Sequence, residues 1–355
     1  MEHGSQNGQS GIKAILPVLS FTAIFVTESS RSPIPRLKIA VLPFLQKSSL
    51  FVACFNEYSR FFCAEAAGFL SVLHMATHIR DIYGLDVADT TISRITDKIL
   101  PVAKAWQQRP LESICAVVFL DAIHYHVRNE GQVVKKAVYI AIGIDLDGRK
   151  DVLGMWVGEN ESAKYWATIL NGLRNRGVEN IFIACTDNLT GFSAAIEAVF
   201  PKTEIQNCVI HQIRASTRYV SYKDLKALVA DLKAVYTAVD EFAALNALDV
   251  FAVHWDKKYP KVSASWRDNW PNLRTYFRFP QEIRRLIYTT NAIEGFNRQL
   301  RKVTKSKSVF PTDDSLLKML YLAMMDITRK WTGRRQDWSV IHAQLTVYFA
   351  ERMPD

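Results

Sequence analysis

CAVVFLDAIHYHVRNEGQVVKKAVYIAIGIDLDGRKDVLGMWVGENES, residues 115–162, is the stretch whose reading decides the fold. VVFLDAIHYHVR (117–128) reads as a strand whose second half alternates apolar and polar residues. The turn RNEGQ follows, then the apolar run KKAVYIAIGIDL, the tight turn DGRK, and DVLGMWVGE. Three successive strands joined by such short turns predict an antiparallel meander.

Downstream the pattern changes period. ESAKYWATILNGLRNRG (161–177) is an amphipathic helix closed at Gly177. NIFIACTD (180–187) is a strand without alternation, as expected of a parallel strand buried on both faces. LTGFSAAIEAVFP is a helix stopped by Pro201, and TEIQNCVIH (203–211) reads as a fifth strand. The order βββαβαβ predicts an α/β fold with a mixed sheet, the outline of an RNase H-like domain.

Residues 212–286 read as helical and are rich in Ala, Lys and Trp. A segment of more than 70 residues is too long for a loop inside a compact domain, so it is expected to be a helical insertion. Residues 287–307 carry the helix-like TTNAIEGFNRQLRK and a basic exit; 312–335 is a last helical stretch. Upstream, residues 74–112 read as a helix, a turn at Gly84 and a second helix capped by Asp89 or Thr90. That is a helix-turn-helix outline, with Thr91, Ser93, Arg94 and Lys98 on the exposed face of the second helix. The alternative is an ordinary packed helical hairpin. The expected plan is therefore an atypical segment 1–73, a DNA-binding region 74–112, a catalytic domain 113–211 plus 287–335, an insertion 212–286, and a C-terminal segment 336–355.

Composition narrows the function. Lys and Arg number 44 against 35 Asp and Glu, a net +9, which favours a polyanionic partner. Five scattered cysteines with no CxxC pair read as reduced thiols of a cytoplasmic protein. IKAILPVLSFTAIFV (12–26) is short and carries Pro17, so neither a signal peptide nor a membrane span is expected.

Three acidic residues carry the chemistry. Asp121 ends the run AVVFL, Asp187 ends IFIACT, and Glu294 sits in the helix that turns basic. Strand-end aspartates often cap turns. Two at strand ends plus one on a helix are what a two-metal phosphoryl-transfer site requires, with Mg²⁺ or Mn²⁺ held by carboxylate oxygens. Cys208 and His211 form a Cys-x-x-His pair, half a zinc site at most, and are read as packing or as support beside the metals. His124 and His126 fall on a solvated strand face, and Asp145 and Asp147 flank a hairpin turn; none is expected to be a ligand. Asn291, Asn297, Arg298, Arg301, Lys302 and Lys305 are expected to contact DNA phosphates, which positions DNA without reading its sequence.

The motifs LDAIHYHVR, GIDLDGRKDVLGMWVGENESAKYW, IACTDNLTGF, CVIHQIRAS and IYTTNAIEGFNRQLRKVTKSKSVFPTDDSLLKMLYLA resemble the bacterial mutator-type insertion-sequence transposases. The resemblance covers about residues 75–350. It implies an RNase H-like domain whose DDE triad falls on Asp121, Asp187 and Glu294. It also implies a Cys and a His after the second acid, here Cys208 and His211, and a helical insertion before the glutamate. Residues 1–73 depart from the helical DNA-binding opening of that family, as a frameshifted or recombined start would. The expected function is Mg²⁺-dependent DNA strand cleavage and strand transfer, with two ions, at the terminal inverted repeats of the protein's own element. The expected partners are those ends, target DNA and further copies of the chain, on the bacterial nucleoid. The alternatives are a remnant that only binds DNA and a nuclease that cleaves without joining.

Overall fold

The computed structural model describes residues 97–218, 220–288, 291–305 and 307–354, which fall within one unit, Glu65–Asp355. The segment 1–73 and most of the helix-turn-helix region, Arg94 included, lie outside the described residues.

The meander forms as expected. β1 (Ile114–Asn129) and β2 (Gln132–Ile144) pair antiparallel from Val117↔Ile144 to Asn129↔Gln132. The two-residue loop Glu130-Gly131 closes them, both residues at positive φ (49° and 82°), as a type I′ turn demands. β3 (Lys150–Gly158) adds to the outer edge of β2 with a register shift at Ala141/Ile142. β4 (Asn180–Thr186) runs parallel to β1, and β5 (Glu204–Asn207) parallel to β4. The sheet order is β3-β2-β1-β4-β5. This is the mixed α/β sheet anticipated above.

Helices cover both faces. On one side α2 (Ala163–Asn175) and α3 (Phe192–Val199) bury Trp166, Ile169, Leu170, Phe192 and Ile196 against Val118, Leu120, Tyr139 and Ala184. Trp166 stacks on Phe192 at 4.6 Å. Ser162 caps α2, and Gly177 follows its end at φ 109°. The opposite face is covered by elements from distant parts of the sequence: α1 (Ile99–Gln108), α9 (Asn291–Thr304), α10 (Asp313–Thr328) and α11 (Trp338–Tyr348). Between β5 and α9 lie α4 (Val209–Thr217), α5 (Tyr222–Tyr236), α6 (Glu241–Trp255), α7 (Pro260–Leu273) and α8 (Gln281–Ile287). Their apolar residues join the same core as Phe119, Ile183 and Phe296.

Two readings of local structure are corrected. The fifth strand ends at Asn207, and Val209, Ile210 and His211 belong to α4. The chain turns because the Cys208 N–H donates to the Thr186 carbonyl and the Val209 N–H to that of Tyr288. Val209, Gln212 and Ser216 are then buried at helical spacing. The second correction concerns 312–335, where the helix stops at Thr328 and a new one begins at Trp338.

Candidate active site

The site begins with one polar residue in an apolar row. Val117, Phe119, Ile123, Tyr125 and Val127 of β1 all contribute to the core beneath α9. Asp121 does not end a strand, as expected, but lies in the middle of β1, which continues in pairing with β2 to Asn129; alternation puts it in that row, and it is only 9% exposed. In β4, Ile183 and Cys185 line the same face. Phe119 and Cys185 are register partners in the parallel pairing. Two residues further along each chain bring Asp121 and Asp187 side by side, just past the end of β4.

Helix α9 completes the site from above. Ile293, Phe296, Asn297, Leu300 and Thr304 form its buried stripe. Asn297, 4% exposed, donates through Nδ2 to Asp121 Oδ2 at 2.7 Å, and the Ala122 N–H donates to Oδ1 at 2.9 Å. Glu294 lies one turn before Asn297, in the first turn of α9, where the helix dipole favours an anion. Arg214 of α4 donates to both Glu294 oxygens, at 2.7 and 3.4 Å. His211 Nε2 lies 3.9 Å from Glu294 Oε1.

Electrostatics ties these groups together. Burial pushes Asp121 up to about 6; His211 opposes the rise, and the Asp187 and Glu294 charges add to it. Burial also raises Asp187, again opposed by His211. His211 is pushed up to about 9, first by its hydrogen bond with Cys208 and then, against the cost of burial, by charges that include Asp121 and Asp187.

The sign of this effect gives a test. A histidine whose pKa is higher folded than unfolded contributes stability below its unfolded pKa and loses it as pH rises through the folded value. The metal-free melting temperature should therefore fall between pH 6.5 and 9. His211→Gln should flatten that fall; an unchanged profile would remove the charge from His211.

A fourth carboxylate, absent from the sequence reading, adjoins the site. Glu161 follows β3, with its carboxyl close enough to Asp187 for each to perturb the other. Burial, then the charges of Asp187 and Asp121, push it up to about 7, and the Trp166 indole opposes the rise. Its Oε1 is buried and makes no well-formed hydrogen bond among the described residues.

The remaining expected residues separate into two groups. Asn291, Arg298, Arg301, Lys302 and Lys305 are exposed along α9 and after it. Asn297, expected among the phosphate contacts, is turned inward and engaged by Asp121. Lys98 is exposed at the start of α1. His124 and His126 are exposed, and Asp145 Oδ1 accepts from the Arg149 N–H in its turn. Among the described residues, no three His, Cys, Asp or Glu side chains are already drawn together as a metal cage. Glu294 is engaged by Arg214, and Asp121 by Asn297.

The motif order and this geometry now meet the comparison with known proteins. Residues 66–333 match the family described as "Transposase, Mutator family". The chain belongs to that family. It is 44% identical over 284 residues to a probable transposase for an ISRM3-like insertion sequence element of Sinorhizobium fredii, covering 80% of this chain and 71% of that one. It is 43% identical over 284 residues to the transposase for insertion sequence element ISRM3 of Rhizobium meliloti, with the same coverage. A probable insertion-element transposase of Corynebacterium diphtheriae is 41% identical over 270 residues, 76% of this chain and 79% of that one. Among the described residues no helix is long and apolar enough to cross a membrane.

Proposed function

We propose that this transposase cleaves and joins DNA strands at the terminal inverted repeats of its own insertion element, using a metal-dependent DDE site made by Asp121, Asp187 and Glu294. The observation that carries the reading is the burial of Asp121, electrostatically coupled to Asp187, beneath a helix that bears Glu294 and whose outward face is basic. Their oxygens suit a hard divalent cation. Burial has already raised the affinity of Asp121 and Asp187 for a positive partner, here protons and His211, and Arg214 pairs with Glu294. Bound Mg²⁺ or Mn²⁺ would activate water or a DNA 3′-hydroxyl and stabilise the leaving 3′-oxygen.

The chain's own residues do the positioning. Asn297 fixes the orientation of Asp121 from α9, so sheet and helix hold one geometry. Glu294 would help to hold the cation in place of Arg214, whose largely exposed guanidinium would then be free to pair with a phosphate. Arg298, Arg301, Lys302 and Lys305 hold the flanking backbone. Double-stranded element ends and target DNA are the partners, met by a homo-oligomer in the bacterial cytoplasm.

Two experiments address this reading. Activity should require Mg²⁺ or Mn²⁺, whereas Ca²⁺ should support DNA binding without turnover, because its looser coordination misplaces the reacting oxygens. Full activity in excess chelator would sink the metal-dependent site; nicking without joined product would favour the nuclease alternative. Separately, Arg298→Ala, Arg301→Ala and Lys302→Ala together should weaken binding to all sequences alike. The slope of log affinity against log salt should become shallower by about 0.9 for each phosphate no longer neutralised. If only the element end lost affinity, these side chains would be reading bases instead.

A further inference from the structure

The motif GENES, residues 158–162, has no role in the triad, yet the structure carries its glutamate to the carboxylates. We propose that Glu161 is a fourth oxygen donor of this site, joining Asp121 and Asp187 around the divalent cation. The inference rests on the metal-dependent reading above and adds a residue to it.

Three observations support it. The first is the construction of the turn. The Tyr139 hydroxyl donates to the Asn160 carbonyl and accepts from the Ser162 N–H at 3.0 Å. Tyr139 is fully buried, packed between Tyr165 at 4.6 Å and Trp166 at 4.9 Å. Ser162 in turn caps α2 by accepting from the Tyr165 N–H. Glu161 is therefore held between two residues anchored to one rigid phenol, on a strand-to-helix corner with little freedom. Residues whose backbone is fixed in this way can hold a ligand to the tolerance that a metal needs.

The second is the environment of its carboxyl. Glu159, two residues earlier, is largely exposed and pairs with Lys136 at 2.9 Å. Glu161 has no such cation. It lies close to Asp187, where a solvated carboxylate would ordinarily avoid a like charge, with only the neutral Trp166 indole to oppose the repulsion, and its buried Oε1 makes no well-formed hydrogen bond among the described residues. A buried acceptor with no partner is costly, so it is rarely left without a reason.

The third is independent of the acidic residues. Asn297 is 4% exposed, and its Nδ2 is spent on Asp121, but its Oδ1 is also buried without a donor. Two buried oxygens near Asp121 and Asp187, one on Glu161 and one on Asn297, thus lack a well-formed hydrogen bond among the described residues. Such acceptors suit a hard cation.

The test is Mn²⁺ binding to the DNA-free full chain, by calorimetric titration, with metal-free melting recorded for every variant. Wild type should bind. Glu161→Gln, which keeps the shape and removes the charge, should weaken the Mn²⁺ dissociation constant by about tenfold or more. Its metal-free melting temperature should stay level or rise, because a like charge has been removed. Glu161→Asp should fall between the two, and Glu159→Gln should match wild type. Mn²⁺ affinity unchanged in Glu161→Gln but abolished in Asp187→Asn would overturn the role of Glu161 and leave the triad standing. A marked fall in metal-free melting in Glu161→Gln would also overturn it, by making the residue structural. Mn²⁺ binding unaffected by both changes would overturn the metal-dependent reading itself.

Discussion

Asp121→Asn, Asp187→Asn and Glu294→Gln should each lower strand cleavage by about a thousandfold or more, while DNA affinity changes only a few-fold. Each amide keeps the shape of its carboxyl and removes the charge that a cation requires. Electrostatic stabilisation worth several kcal/mol is lost, and each 1.36 kcal/mol is a factor of ten in rate. Binding should survive because the proposed phosphate contacts belong to other side chains, the exposed Arg298, Arg301 and Lys302 of α9 and Lys305 just after it. The three variants should also differ in stability. Asp121 and Asp187 are buried anions with raised pKa values, so neutralising either relieves a cost. Glu294 pairs with Arg214 and adjoins His211, so Glu294→Gln should gain less or lose slightly. Single-turnover cleavage and gel shift on one element-end duplex, with melting curves, measure all three effects. A variant that cleaves at the wild-type rate would remove its residue from the site.

Trp338→Ala should destabilise the fold by about 3–5 kcal/mol, the usual cost of truncating a fully buried large aromatic. Trp338 is 1% exposed and donates through Nε1 to the Leu146 carbonyl at 2.9 Å. Its ring lies against Gly148 in the β2–β3 turn, so close that a Cβ there would meet ring carbons at 2.3–2.7 Å. Gly148 also holds φ 80°. One side chain therefore ties α11 to the far end of the meander. Gly148→Ala should destabilise at the same place, by both strain and clash. Chemical denaturation measures the effect; a change under about 1 kcal/mol for Trp338→Ala, far below the usual cost of such a truncation, would show that the C-terminal helix is an accessory to the core.

How far the sequence can be read depends on whether a residue's neighbours are local. IFIACT announces a doubly buried strand because continuous apolar residues have few other uses. Asp121 and Asp187 stand out because each breaks or ends such a run, and the parallel register then sets them side by side. Glu294 lies in a helix of unmistakable charge pattern. Glu161 gives no such signal. GENES is short and polar, and it resembles any solvated corner; only the sheet order and the Tyr139 anchor bring it to Asp187. Asn297 is legible in principle. Ile293, Phe296, Asn297 and Leu300 share the i, i+3, i+4, i+7 spacing of one helix face, but the surrounding Arg and Lys residues make the whole helix look solvated. His211 reads as strand because Val209 and Ile210 are β-branched, a preference that tertiary contacts override. The C-terminal segment carries no evident role in the sequence, because Trp338, Ile341 and Leu345 form a short stripe whose partner surface is nearly 200 residues earlier in the chain.

The measurement that bears most directly on the account is strand cleavage of an element-end duplex by the full chain, with and without Mg²⁺, beside the Asp121→Asn protein. The account predicts nicked and joined products only when both the metal and Asp121 are present. Products formed in excess chelator, or formed equally by Asp121→Asn, would contradict it.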